Sequence, residues 1–234
     1  RLRVNPGVRV FGVPTTPDDL AFARTLPAAL PVPCRHVPGN HDIGDNPTVV
    51  GPAPSDPATE GARQNFLSVI GEDRWRFDAA GWCFIGLNSL IMNTGLASEV
   101  EQFDWLASKL ARTGGKPVAL FIHKPFYLDT PEDPEFEESA IRYVPQPARR
   151  RLIEMFNAID LRLVASGHVH QRRDFTYGRV RHVWAPSARV REPPTRTSMR
   201  SRRPSSAERA CSGGAARRGP PFSGSWSSSR SRRD

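Results

Sequence analysis

Between Asp18 and Trp184 the hydrophobic pattern switches repeatedly between helical spacing and short, continuous apolar runs. Asp18 to Leu30 reads as a helix, with Leu20, Phe22, Ala23 and Leu26 apolar and Pro27 interrupting it. Val32 to Val37 reads as a short strand, Thr59 to Ile70 as a helix with Phe66, Leu67 and Ile70 on one side, and Trp82 to Leu90 as a buried strand. Ser98 to Arg112 is the clearest helix. Ser98 and Glu101 are spaced as a capping box, and Val100, Phe103, Leu106 and Leu110 form the expected buried stripe. Val118 to Ile122 is an apolar strand, Pro147 to Ile159 a helix with proline in its first turn, and Leu161 to Ala165 another strand. Arg173 to Tyr177 and Val180 to Trp184 are expected to pair as a hairpin turning at Gly178. Strands alternating with helices predict an α/β fold that carries its site along one rim of a sheet.

The pattern ends near Ala188, and composition changes with it. The stretch from Arg189 to Asp234 is Arg, Ser, Pro and Gly with few aliphatic residues, which predicts a disordered tail. Its 12 arginines against 3 acidic residues account for the whole net charge of +9, so residues 1–188 are neutral. A basic protein that binds nucleic acid through its body is therefore excluded; only the tail can serve as an RNA-binding arm. The tail also reads as a GC-rich gene translated out of frame after Ala188, and the abrupt end of periodicity favours this second account. Residues 1–17 are atypical for the body that follows. Arg1 in place of Met leads us to expect a clipped start, for which the lack of a leader pattern is uninformative. No apolar run reaches the roughly 20 residues of a membrane-spanning helix. Cys34, Cys83 and Cys211 form neither a zinc-knuckle pattern nor a disulfide framework, which favours a reducing, cytoplasmic setting.

Candidate chemistry gathers in loops that follow strand-like runs. In Gly39-Asn40-His41-Asp42 a glycine lets adjacent polar side chains enter one space. Asn40 offers a carbonyl oxygen to a metal, His41 can protonate a leaving oxygen, and Asp42 can orient that imidazole. The alternative is a plain polar turn. His123 ends the run Val118-Ala119-Leu120-Phe121-Ile122. In Gly167-His168-Val169-His170 two imidazoles sit at alternate positions, which in extended backbone share one side. Four of the six histidines fall in these motifs; His36 and His182 are read as structural. Imidazole nitrogens with an amide oxygen suit a borderline divalent ion such as Zn, Mn or Fe. The cluster Asp129, Glu132, Asp133, Glu135, Glu137 and Glu138 reads as a solvated loop or, alternatively, a substrate-facing lid or recruited carboxylate source. Arg149, Arg150 and Arg151 read as an exposed first helical turn.

Gly-Asn-His-Asp, then a strand-terminal His followed closely by Pro, then Gly-His-x-His resembles the calcineurin-like metallophosphoesterase superfamily over about Asp18 to Ser187. The resemblance implies a four-layer α/β/β/α sandwich with a dimetal centre that hydrolyses phosphomonoesters or phosphodiesters by metal-activated water. It implies that Asn40, His123 and His168 ligate one metal and His170 the other. His41 would be the acid or transition-state stabiliser, with Asp42 supporting it. The two earlier motifs of that pattern, Asp-x-His and a Gly-Asp that bridges the metals, do not occur in residues 1–38. Gly44-Asp45 is a Gly-Asp pair on the wrong segment for that role. The body, residues 18–188, is therefore expected to be a partial, N-terminally incomplete copy that holds one divalent ion or fewer. The second functional reading is a catalytically inactive remnant that binds at most one metal.

Overall fold

The computed structural model describes residues 17–28, 33–135 and 141–186. Expectations for residues 1–16, Leu30, Val32, Glu137, Glu138 and the arginine-rich stretch 189–234 lie outside the described residues. In chain order the elements are α1 (Pro17–Ala28), α2 (Asn40–Ile43), α3 (Glu60–Val69), β1 (Trp75–Ala79), β2 (Trp82–Gly86), α4 (Ala97–Leu110), β3 (Val118–Phe121), α5 (Gln146–Asn157), β4 (Leu161–Ser166), β5 (Arg173–Tyr177) and β6 (Val180–Trp184). The strands form one six-stranded sheet in the order β1-β2-β3-β4-β6-β5. Strands β2, β3, β4 and β6 are mutually parallel, while β1 and β5 pair antiparallel at the two edges. The α/β class holds. Of the four layers implied by the resemblance, the described residues contain this one sheet and the helical layer on one of its faces.

Alternation along the strands sorts the side chains onto two faces. Cys83, Ile85, Val118, Leu120 and Val164 face α4 and α5, where Phe103, Leu106, Leu110, Ala148, Leu152 and Phe156 complete the main core. The opposite face is aromatic: Trp75, Phe77, Phe84 and Phe121 lie together, with the Phe77 and Phe84 rings stacked at 4.9 Å. A third cluster, of Leu20, Ile43, Phe66, Leu90 and Ile91, ties α1, α2 and α3 together.

Several expectations need correction. Residues 33–39 pair with no strand among the described residues. Instead Val37 packs against the aromatic face, and the His36 carbonyl accepts the Trp75 indole N–H at 2.7 Å. Strand β2 stops at Gly86, a position where a side chain would strike the Trp75 ring, and Asn88 then caps a 3-10 turn by accepting from the Leu90 amide at 3.0 Å. The Ser98–Glu101 capping box is not formed. Ser98 lies inside α4 with its hydroxyl buried and unpartnered, while Glu99 accepts from the Thr94 and Gly95 amides at 3.0 and 2.9 Å. Val100 is 57 % exposed, and Ser98 and Gln102 take its place on the buried side. Phe22 points outward, and α1 runs one residue beyond Pro27. Arg149 is not an exposed first-turn residue but 1 % exposed, donating to the Phe126 carbonyl at 3.2 Å and the Asp133 carbonyl at 2.6 Å. The Arg173–Trp184 hairpin forms as expected.

Behind α3 a buried ion pair joins Arg63 to Asp73 at 2.7 Å, and Asp73 also accepts from Asn88 Nδ2 at 3.1 Å. At the other end of the sheet His182 stacks on Phe175 at 4.9 Å, with its Nε2 at 2.8 Å from the Tyr127 hydroxyl. Burial, helped by the nearby Arg173 charge, pushes His182 down to about 4 from its ordinary 6.5.

Three stability outcomes are expected. Asp73→Ala strands Arg63 in the interior and costs about 3–5 kcal/mol in urea denaturation. Val100→Lys, on the exposed side of α4, changes stability by less than about 0.5 kcal/mol. The unfolded chain takes up a proton at His182 near pH 6.5 and the folded chain only near 4, so stability held above pH 6.5 is lost as pH falls through 4. In His182→Gln that acid-induced loss, followed as the urea midpoint against pH, becomes smaller.

Candidate metal centre

The site stands on the rim where the parallel strands β3 and β4 end. His123 follows β3 by two residues and His168 follows β4 by two. Backbone pairing continues past both strands: the Ile122 amide donates to the Ala165 carbonyl at 3.0 Å, and the Gly167 amide to the His123 carbonyl at 2.9 Å. Asn40 arrives from the other side as the first residue of the single turn α2. That turn is closed by the Asp42 carboxylate, which accepts from the Gly39 amide at 2.7 Å, and by the Gly44 amide, which donates to the Asn40 carbonyl at 3.0 Å.

Three polar atoms converge there. Asn40 Oδ1 lies 3.1 Å from His123 Nε2 and 3.2 Å from His168 Nδ1, and the two nitrogens are 3.1 Å apart. His168 Nε2 is 2.9 Å from the Ile141 carbonyl, which can only accept, so that nitrogen carries the ring proton. Nδ1 of the neutral ring therefore presents a lone pair. No hydrogen lies between it and the amide oxygen, and a proton on His123 Nε2 can serve only one of its two neighbours. Such a triangle of electron pairs calls for a cation. Ligands at right angles around one ion, bonded at about 2.1 Å, stand about 3 Å apart, which is the spacing found. The Ile141 contact also supplies the carbonyl that fixes the tautomer of a metal-binding histidine. The donor set thus fits a divalent ion. Among the described residues no group of three or more His, Cys, Asp or Glu side chains is placed for a metal, so the amide of Asn40 is integral to this arrangement.

Electrostatics keep the His168 ring neutral. Burial first, then the positive charges of Lys124, His170 and His41, push it down to about 3 against the opposing pull of the Ile141 carbonyl. His41 and His170 thus both act electrostatically on the His168 ring. His41 is half-buried on α2, and His170 is exposed. The loop after β4 is not extended as expected: His168 and His170 have φ of 62° and 57°, left-handed backbone that costs L-residues of order 1–2 kcal/mol each. Alternation therefore does not explain their placement.

Gly39 is needed for contact rather than for backbone freedom. A Cβ on it would lie 2.9 Å from His123 Cε1. The acidic loop is occupied with its own architecture: Asp133 accepts from the Asp129 and Thr130 amides at 2.6 and 3.1 Å, Asp129 pairs with Arg173, and Glu135 accepts from the Gln146 amide. Sequence reasoning missed Lys124, Asn46 and the Ile141 carbonyl. Lys124 is 0 % exposed, its ammonium against Asp45 and 2.5 Å from Asn46 Oδ1. A lysine at the end of an apolar strand, with Asp-Asn following the first motif, was the available signal.

No helix among the described residues is long and apolar enough to cross a membrane. Among solved structures the chain resembles a dimetal phosphatase from Danio rerio, 13% identical, with 52% of this chain and 51% of that one covered and a TM-score of 0.37. Similar proteins by sequence include the serine/threonine-protein phosphatase CPPED1 of Danio rerio, 30% identical over 146 residues, 60% of this chain and 42% of that protein. The Mus musculus protein of the same name is 27% identical over 182 residues, 73% of this chain and 54% of that one. The chain thus spans about half the length of the curated relatives it matches. The calcineurin-like phosphoesterase profile matches residues 7–172, a span that holds all three donors of the triangle together with His41, Asp42 and His170: the chain belongs to the calcineurin-like phosphoesterase family.

Proposed function

We propose that this chain hydrolyses phosphoesters with a divalent ion, Mn, Fe or Zn, held by Asn40, His123 and His168. The observation that carries this reading is the triangle itself, in which three lone-pair atoms stand 3.1–3.2 Å apart with the outer nitrogen of His168 fixed by Ile141. A bound divalent ion supplies Lewis acidity toward a phosphoryl oxygen and lowers the pKa of water. The chain's own residues do the rest. Asn40, His123 and His168 fix the ion on the rim, and His41, next to Asn40, donates a proton to the leaving oxygen. Asp42 keeps that turn closed through the Gly39 amide and so aims both neighbours. His170 stands on the exposed side as a further ligand or phosphate contact. The names of the relatives make phosphoserine peptides a substrate to assay beside the simple mono- and diesters. The alternative is a family member that holds one ion without turnover, favoured because neither Asp-x-His nor Gly-Asp occurs in residues 1–38.

With Mn added, the full chain is expected to hydrolyse p-nitrophenyl phosphate, bis-p-nitrophenyl phosphate or a phosphoserine peptide, and to stop when the ion is chelated. His41→Ala should lower kcat by about 100-fold or more while ion affinity is kept. A folded chain that takes up Mn and turns over none of the three substrates rules out the enzyme and leaves the ion-binding alternative. Gly39→Ala should displace the His123 ring and weaken Mn binding by about tenfold, read by calorimetric titration.

A further inference from the structure

Two loops that carry ion donors meet at a buried cation. Lys124 adjoins His123, and its backbone amide donates to Ser89 Oγ at 3.1 Å. Its side chain is fully buried and ends between the Asp45 carboxylate and Asn46 Oδ1. Asn46 is fixed in turn by donating to the Ser89 and Met92 carbonyls at 3.0 and 3.1 Å. Asp45 is held by its amide on the Asp56 carbonyl at 2.7 Å and by the Ala58 amide on its own carbonyl at 2.8 Å. Between Asp45 and Asn40 lies only the closed turn α2 and Gly44. Gly44 has φ of 88°, and a Cβ on it would sit 2.5 Å from the Pro57 carbonyl oxygen. No flexible linker therefore intervenes between the ammonium contact and the amide oxygen of Asn40.

We infer that Lys124 is the positioning residue of the metal triangle: its ammonium, clasped by Asp45 and Asn46, staples the loop that carries Asn40 to the loop that carries His123. The inference rests on the reading of Asn40, His123 and His168 as ion ligands. It also accounts for a cation beside a cation site, an arrangement that charge alone disfavours. Asp45 neutralises the ammonium, and the gain is geometric.

Charge and geometry predict opposite signs. If Lys124 acts only through its charge, Lys124→Met removes a repulsive neighbour, frees Asp45 and tightens ion binding. If it acts as a staple, Lys124→Met weakens binding by about tenfold or more, within the range found when the support of a metal ligand is removed. The double variant Lys124→Met/Asp45→Asn removes both charges, leaves the local sum unchanged and strands no ion, so it serves even where the single variant fails to fold. Arg63→Met disrupts a buried ion pair of the other cluster and reports the effect of destabilisation alone.

The experiment measures Mn affinity by calorimetry, the visible spectrum of bound Co(II), and the urea midpoint, all on the full chain. Support is a fall of about tenfold or more in Mn affinity with an altered Co(II) spectrum in the double variant, partial recovery in Lys124→Arg, and wild-type affinity in Arg63→Met. Unchanged or tighter binding in the Lys124 variants, or an equal loss in Arg63→Met, overturns the inference while wild-type binding upholds the site. A wild-type chain that binds neither ion refutes the site reading, and the inference with it.

Discussion

Parallel pairing of β3 and β4 does not stop where the strands end. The Ile122 and Gly167 amides carry the ladder two residues further, so His123 and His168 leave the sheet side by side with their backbones already tied. Neighbouring strands run about 4.8 Å apart, and two imidazoles of that reach can bring a nitrogen of each to within 3.1 Å without help from any third element. Asn40 alone has to be delivered from elsewhere in the chain. Outside the sheet, the Ile141 carbonyl fixes His168, and the other contacts that bear on the site are concerned with that delivery.

The delivery is polar where most of this domain is apolar. Asp45, Asn46, Lys124 and Ser89 form one buried network beside the triangle, and Arg63, Asp73, Asn88 and Gln102 form another behind α3. Apolar contacts of Ile43 with Leu20 and Phe66 hold α2 in place but specify no direction. Hydrogen bonds and ion pairs do, because each works over a narrow range of distance and angle. Burying them is tolerable only when nearly every donor is used, and a member left alone is costly.

Much of this was legible in the sequence, for a definite reason. Parallel strands buried on both faces, such as Val118 to Phe121, leave continuous apolar runs, and the motif histidines follow such runs directly. β1 was missed although Trp75-Arg76-Phe77-Asp78 alternates, because the five-residue strand is short and its turn at Ala80–Gly81 carries neither Asn nor Asp. The capping box failed because Ser98 and Glu101 satisfy a spacing, and spacing does not say where a helix begins. Arg149 looked like one of three equivalent arginines until tertiary contacts distinguished it. The triangle's residue types were legible; its geometry was not, since it depends on Lys124 and on the carbonyl of Ile141, and a carbonyl has no signature in the sequence.

The left-handed backbone at His168 and His170 has an evolutionary consequence. Few L-residues accept φ near +60°: Asn, Asp and His do so at modest cost, while β-branched and bulky residues do not. Metal ligands come from a different short set, which includes Cys and Glu as well. The overlap of the two is His, Asn and Asp. Under the metal-binding role proposed for His168 and His170, drift at these positions is filtered twice, and a descendant that changes a ligand here without rebuilding the loop has only a carboxylate or an amide on a short stem to turn to.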